Sequence, residues 1–162
     1  ILLRAYGLEL ASLVCRSYNN GIWVYDPQNF ELIRLDQNMN ISDRTGNLSL
    51  VTGYDIQPTF LRESENRLYL SDPEQGILVF DRYGSFYNIY PFAGLESFQV
   101  SNQKIIFRDG GVLKVYDPVR LLETEMKIPA TETGDVRINF DQNPVHLYVL
   151  NKTGITIFTK SE

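Results

Sequence analysis

The sequence predicts an all-β chain, a β-propeller of which about four antiparallel blades are present. One phrase carries most of this. A glycine, a burst of apolar residues and an aromatic recur as Gly21-Ile-Trp-Val-Tyr25-Asp26, Gly76-Ile-Leu-Val-Phe80-Asp81, Gly111-Val-Leu-Lys-Val-Tyr116-Asp117 and Gly154-Ile-Thr-Ile-Phe158. Self-similarity at such a period marks repetition of one supersecondary unit. Short apolar or alternating stretches surround each phrase, and turn residues separate them, which describes a blade of three or four short strands. No segment carries a convincing helical period, which argues against a parallel α/β fold.

Taken in order, each phrase is expected to be the third strand of its repeat. The strands ahead of it are Leu13–Cys15, Leu68–Leu70, Ile105–Phe107 and Leu147–Val149. The strands following the first three phrases are Phe30–Leu35, Phe86–Tyr90 and Leu122–Ile128. One more strand is expected upstream of each pair, around Leu2-Leu3, Thr59–Leu61, Phe98–Val100 and Val136–Phe140. Turns fall at Asn19-Asn20-Gly21, Asp72-Pro73, Asp109-Gly110-Gly111 and Lys152-Thr153-Gly154. The blades then run over residues 1–40, 56–94, 95–130 and 135–162.

Tyr25, Phe80, Tyr116 and Phe158 lie 55, 36 and 42 residues apart. The long first interval is read as an insertion over residues 40–57, rich in Asn, Ser, Thr and Gly. It is expected to be a longer loop or a hairpin that a partner contacts, since loops on rigid scaffolds carry function.

The last repeat stops after its third strand, and the opening Ile1-Leu-Leu-Arg4 reads as an internal start. The expectation is therefore the C-terminal part of a larger, six- to eight-bladed propeller, with a compact four-bladed ring as the alternative.

Bulk composition narrows the function classes. With 162 residues, 43% of them hydrophobic, and 10 Tyr and 9 Phe, the chain can bury a core and favours strands. A net charge of -5 lacks the basic field a nucleic-acid binder needs. No apolar run approaches the roughly 18–20 residues that cross a bilayer as a helix. The single cysteine, Cys15, excludes an internal disulfide and a Cys-based zinc cluster, and reads as a small buried side chain. His146 is the only histidine, so a multi-His metal site or a Ser-His-Asp triad is not readily assembled. No phosphate loop, nucleophile elbow or His-Glu-x-x-His pattern occurs.

Candidate binding residues come from the turns and from one aromatic cluster. Turns between second and third strands share one face of a propeller, which would gather Asn19, Asn20, Asp72, Glu74, Asp109 and Asn151 on a rim. Ordinary turn chemistry accounts for the same residue types. The phrase-ending Asp26, Asp81 and Asp117 are expected to shape the opposite turns. Among Phe86, Tyr87, Tyr90 and Phe92, alternation buries about half, leaving Tyr87 and Tyr90 as candidates for a protein-binding patch.

The phrases ending in Tyr25-Asp26-Pro27, Phe80-Asp81-Arg82 and Tyr116-Asp117-Pro118 resemble blades of the NHL, YVTN and lactonase-like propellers. The Gly-His and Trp-Asp signatures of WD40 repeats are absent. The stretch from Ser17 to Leu35 is similar to cell-envelope propellers of the Bacteroidota. That resemblance implies a periplasmic or outer-membrane-associated location. The leading expectation is a non-catalytic scaffold that docks a protein partner through one rim and the 40–57 insertion, without a cofactor. The alternative, implied by the lactonase-like resemblance, is a lactonase-like or sugar-binding propeller with calcium held by the rim oxygens. A spacer with no separate site is a third reading.

Overall fold

In the computed structural model the described residues are 3–95, 97–109, 112–127, 135–139 and 145–160. They form four antiparallel sheets. The first holds β1 (Leu13–Arg16), β2 (Ile22–Asp26), β3 (Glu31–Leu35) and β4 (Ile41–Arg44); the second holds β5 (Phe60–Ser64), β6 (Arg67–Asp72), β7 (Gly76–Asp81) and β8 (Phe86–Tyr90). The third holds β9 (Gln99–Ser101), β10 (Lys104–Asp109), β11 (Val112–Asp117) and β12 (Leu122–Lys127); the fourth holds β13 (Asp135–Asn139), β14 (Val145–Asn151) and β15 (Gly154–Lys160). Strands are neighbours in chain order within every sheet, the meander of a propeller blade. A 3-10 helix, Leu3–Tyr6, and one short helix, α1 (Leu48–Thr52), complete the elements. The chain divides into two compact units, Ile1–Glu96 and Ser97–Glu162.

Three expectations move. The strand placed near Leu2-Leu3 is not there: Leu3 begins the 3-10 helix, and Ile1 and Leu2 lie outside the described residues. The first phrase is therefore the second strand of its sheet, whereas Gly76–Asp81, Val112–Asp117 and Gly154–Lys160 are third strands. The 40–57 segment is consequently no added loop or hairpin. It supplies β4, the outer strand of the first sheet, and α1, whose Leu48 is fully buried together with Ile56. The long interval from Tyr25 to Phe80 thus combines a one-strand offset with a structured connection. Of the other expected features, Gly110, Gly111, Ile128 and Phe140 lie outside the described residues.

In the first unit the two sheets meet face to face. Trp23, Tyr25 and Leu32 of the first sheet pack with Leu61, Leu68, Leu70, Leu78 and Phe80 of the second, and Leu48 and Ile56 fill in beside them. The opposite face of the first sheet is also apolar: Val24, Ile33 and Leu35 pack with Leu8, supported by Tyr6 and Met39. This explains why β3 is buried along its whole length, Glu31 and Arg34 included.

Aspartates close the turns of this unit. Asp26 and Asp72 end the second strands of their sheets and do the same work. Asp26 accepts from the backbone N–H of Gln28 (3.0 Å) and, through its other oxygen, from that of Glu9 (2.8 Å), ahead of the first strand. Asp72 accepts from Glu74 (2.9 Å), Gln75 (2.8 Å) and, ahead of β5, Gln57 (2.6 Å). Each thus shapes its own turn and pins the chain entering the blade. Asp36 and Asp81 close the following turns through Asn38 (2.8 Å) and Tyr83 (2.8 Å).

Gly76 shows why the phrase begins with glycine. Its φ is +99°, and a Cβ would come 2.3 Å from the carbonyl oxygen of Tyr90 on the neighbouring strand. At Gly21 a Cβ would likewise meet the Leu35 carbonyl, at 2.1 Å.

In the second unit Ile106, Leu113 and Val115 pack with Ile138, Leu147 and Val149. The Gln99 amide clasps the Ile138 backbone in both directions, accepting from its N–H at 2.9 Å and donating to its carbonyl. Lys114 bridges Asp109 (2.9 Å) and Glu123 (3.2 Å) across β10, β11 and β12.

Two predictions follow from this geometry. Gly76→Ala combines a left-handed φ with a backbone clash and costs about 2–4 kcal/mol in urea denaturation. For Asp26, burial opposes ionisation, but the N–H donors from Glu9 and Gln28 and the Asn29 amide outweigh it and hold the carboxyl below its ordinary value. A depressed carboxyl stabilises the fold above its unfolded pKa and loses that contribution as pH falls through the folded value. Asp26→Asn should cost about 1–3 kcal/mol at pH 7. Denaturation repeated below about pH 4 should find the gap to wild type narrowed.

Candidate functional site

The turns at one end of the first unit's sheets gather a constellation that the sequence did not single out. The β1–β2 turn brings Tyr18, the β7–β8 turn brings Arg82 and Tyr83, and β3 and β5 contribute Arg34 and Glu63. Asp81 fixes the β7–β8 turn by accepting from Tyr83 and from the Ser85 N–H at 2.9 Å. Gly84 sits so close that a Cβ would lie 3.3 Å from the Trp23 ring. Asp81 thus sets the turn's shape, and Gly84 keeps it seated on the indole of the facing sheet.

Glu63 ties the two sheets together. One carboxylate oxygen accepts from the Trp23 indole N–H (2.8 Å), the other from the Tyr18 backbone N–H (3.0 Å). The Tyr18 ring carries two guanidiniums, Arg34 at 5.0 Å and Arg82 at 4.8 Å from its centroid. Arg82 also lies 5.0 Å from the Tyr83 ring. Arg34 is buried, pairs with Asp43 and donates to Ser42 Oγ at 2.9 Å. Burial opposes its charge, yet Tyr18 and Asp43 more than compensate and raise its pKa. Tyr18 and Tyr83 nevertheless stay 46% and 53% exposed. They are rings held in place yet open to solvent.

Beside Tyr18 runs an open groove of about 400 Å³, lined by Arg16, Ser17, Glu63, Ser64, Glu65 and Asn66. Ser17 is buried at its edge, with no hydrogen-bond partner for its hydroxyl. Cys15 of β1 packs against the core between the two sheets. Burial pushes its thiol up to about 12, against weaker opposing hydrogen bonds, so it stays protonated and unreactive.

The residues expected on a shared rim are placed as follows. Asn19 and Asn20 are exposed in the β1–β2 turn, next to the groove. Asp72 and Glu74 belong to the β6–β7 turn, at the opposite end of the first unit's sheets, because the first phrase is a second strand and not a third. Asp72 is buried and its oxygens already accept three backbone N–H groups. In the second unit Asp109 pairs with Lys114, and Asn151 closes its own turn by accepting from the Thr153 N–H at 3.0 Å. The oxygens named for calcium are thus separated within the first unit, and Asp72 is committed to its turn. Among the described residues no group of three or more His, Cys, Asp or Glu side chains gathers in ion-binding geometry. Of the two tyrosines proposed for a patch, Tyr87 is 60% exposed beneath Arg67, 4.4 Å from its ring centroid. Tyr90 is 7% exposed, so it presents no ring to a partner.

No family model matches the chain, and no curated protein matches it. Solved structures do match. PorZ, an essential bacterial surface component of the type-IX secretion system of Porphyromonas gingivalis, superposes with a TM-score of 0.58 at 16% identity, over 96% of this chain and 22% of its own. The virginiamycin B lyase of Staphylococcus aureus gives 0.54 at 15% identity, over 94% of this chain and 55% of its own. The N-terminal domain of Nup159 gives 0.55 at 11% identity, over 98% and 44%. The fold is that of a β-propeller. The chain spans well under two thirds of the length of each of these propellers. No helix among the described residues is long and apolar enough to cross a membrane.

Trp23 is the only tryptophan, so its emission reports on this site. Glu63→Leu strands a buried indole N–H and should cost about 1–3 kcal/mol. Unfolding followed by Trp23 fluorescence checks it, and Glu63→Gln, which keeps an acceptor, should lose less.

Proposed function

We propose that this chain belongs to a non-catalytic propeller that serves as a docking module in a cell-envelope complex. The turn face carrying Tyr18, Arg82 and Tyr83 meets the protein partner. The observation that carries this reading is the pair of exposed tyrosines stacked against a common guanidinium. Interfaces draw their energy from a few Tyr, Trp and Arg side chains, and rings already immobilised lose little entropy on binding. The aromatic–guanidinium contacts are worth about 0.5–1 kcal/mol each at exposed sites and bias the rings toward this arrangement. An envelope setting is favoured by the likeness to PorZ, a surface component of a secretion system, and by the Ser17–Leu35 resemblance. The 40–57 segment, expected at first to dock the partner, is assigned to the fold instead because its Leu48 and Ile56 are core residues.

The test is affinity capture from envelope extracts of cells carrying tagged protein. Tyr18→Ala and Tyr83→Ala should each reduce recovery of the captured partner by about tenfold, the loss of one good anchor. Glu74→Ala, on the opposite turn end, should leave recovery unchanged. Trp23 emission confirms that each variant is folded. Equal recovery by folded Tyr18→Ala and wild type would refute the docking face.

A further inference from the structure

We infer that the partner presents an acidic side chain to this face, and that Arg82 receives its carboxylate. The inference rests on the docking reading above and names the chemistry it uses.

The arginines of the first unit differ in how their charge is met. Arg34 pairs with Asp43, Arg44 with Glu31, and Arg4 with Glu9 at 2.9 Å. Arg82 has no carboxylate partner among the described residues. Its Nε–H is buried without an acceptor among the described residues, and the guanidinium lies against two rings. Its backbone is equally fixed. The Arg82 carbonyl accepts from Arg34 Nη1 at 3.4 Å, and the Asp81 carboxylate closes the turn that follows. The result is a cation held between two half-exposed tyrosines, with its charge unneutralised.

A planar guanidinium fork matches a carboxylate in geometry as well as charge. Flanking rings exclude water from its sides and strengthen the electrostatics of whatever meets its open edge. The charges around it favour a single carboxylate over a polyanion. Arg34 is already neutralised by Asp43, both Glu63 oxygens are taken up by the Tyr18 and Trp23 N–H groups, and the chain as a whole carries -5. A polyphosphate surface would need a field of cations, whereas one aspartate or glutamate needs a single fork.

The probe is the peptide acetyl-Gly-Glu-Glu-Gly-amide, with its Gln counterpart and inorganic phosphate as controls. Binding is followed on the arginine Nε–H resonances of the folded chain. The Glu peptide should shift the Arg82 resonance saturably and bind about tenfold more tightly than the Gln peptide or phosphate, the usual scale of a charge-assisted pair. Arg82→Gln should abolish the binding, Arg82→Lys should weaken it because the fork is lost, and Arg4→Gln should not alter it. No saturable shift, or equal shifts with the Gln peptide or phosphate, overturns the inference.

Partner capture separates this from the underlying reading. If Arg82→Gln captures the partner as wild type does while Tyr18→Ala does not, the docking face stands and the carboxylate assignment falls. If neither substitution changes capture, the docking face falls with it.

Discussion

A sheet that is apolar on both faces must be covered on both, and the first unit is organised by that requirement. One face of the first sheet meets the second sheet through Trp23, Tyr25 and Leu32, and the other is capped by Leu8 and its neighbours. Trp23 sits at the seam. Its ring fills the space between sheets, and its N–H has to be met inside that space, because an unpaired buried donor costs about 1–3 kcal/mol. Glu63 meets it and, with its other oxygen, holds the Tyr18 amide. One carboxylate thereby couples the packing of two blades to the position of an exposed tyrosine. Core and surface are linked through it.

Aspartates do the complementary work at the edges. Short strands require many turns, and each turn leaves backbone N–H groups in need of acceptors. Asp26 and Asp72 solve this identically in successive blades, using one oxygen for the turn and the other for the chain ahead of the first strand. That second contact distinguishes them from Asp36 and Asp81, whose reach is confined to their own turns. A residue type that looks like a metal ligand in sequence is here saturated by the backbone.

This also explains what the sequence made legible. Fold class and most strands were readable, because a strand such as β7 is a continuous apolar run bounded by glycine and aspartate. The blade register was not. Gly21–Asp26 and Gly76–Asp81 look alike, since a second and a third strand are both central, both flanked by close backbone, and both ended by a turn-closing aspartate. Local pattern reports burial and turn chemistry, not a strand's rank within its sheet. From that one-strand offset came both the reading of 40–57 as an insertion and the assignment of Asn19 and Asp72 to one rim. The candidate site was hidden for a different reason. Tyr18, Glu63 and Arg82 come from three separate turns and strands, and only the packing of two sheets brings them together.

Arg34 and Arg82 rest against the same tyrosine ring and are not equivalent. Arg34 is buried, so its charge would be costly without Asp43, and removing either partner would strand the other. Its role is closed within the fold. Arg82 is only half-buried: its Nε–H is shut off from solvent, while the guanidinium lies against two exposed rings. Full burial would have demanded a partner from within the chain, and full exposure would have left the side chain free to wander. An unneutralised charge is tolerated at this intermediate depth, and the half-exposed rings beside it leave the face open to another protein.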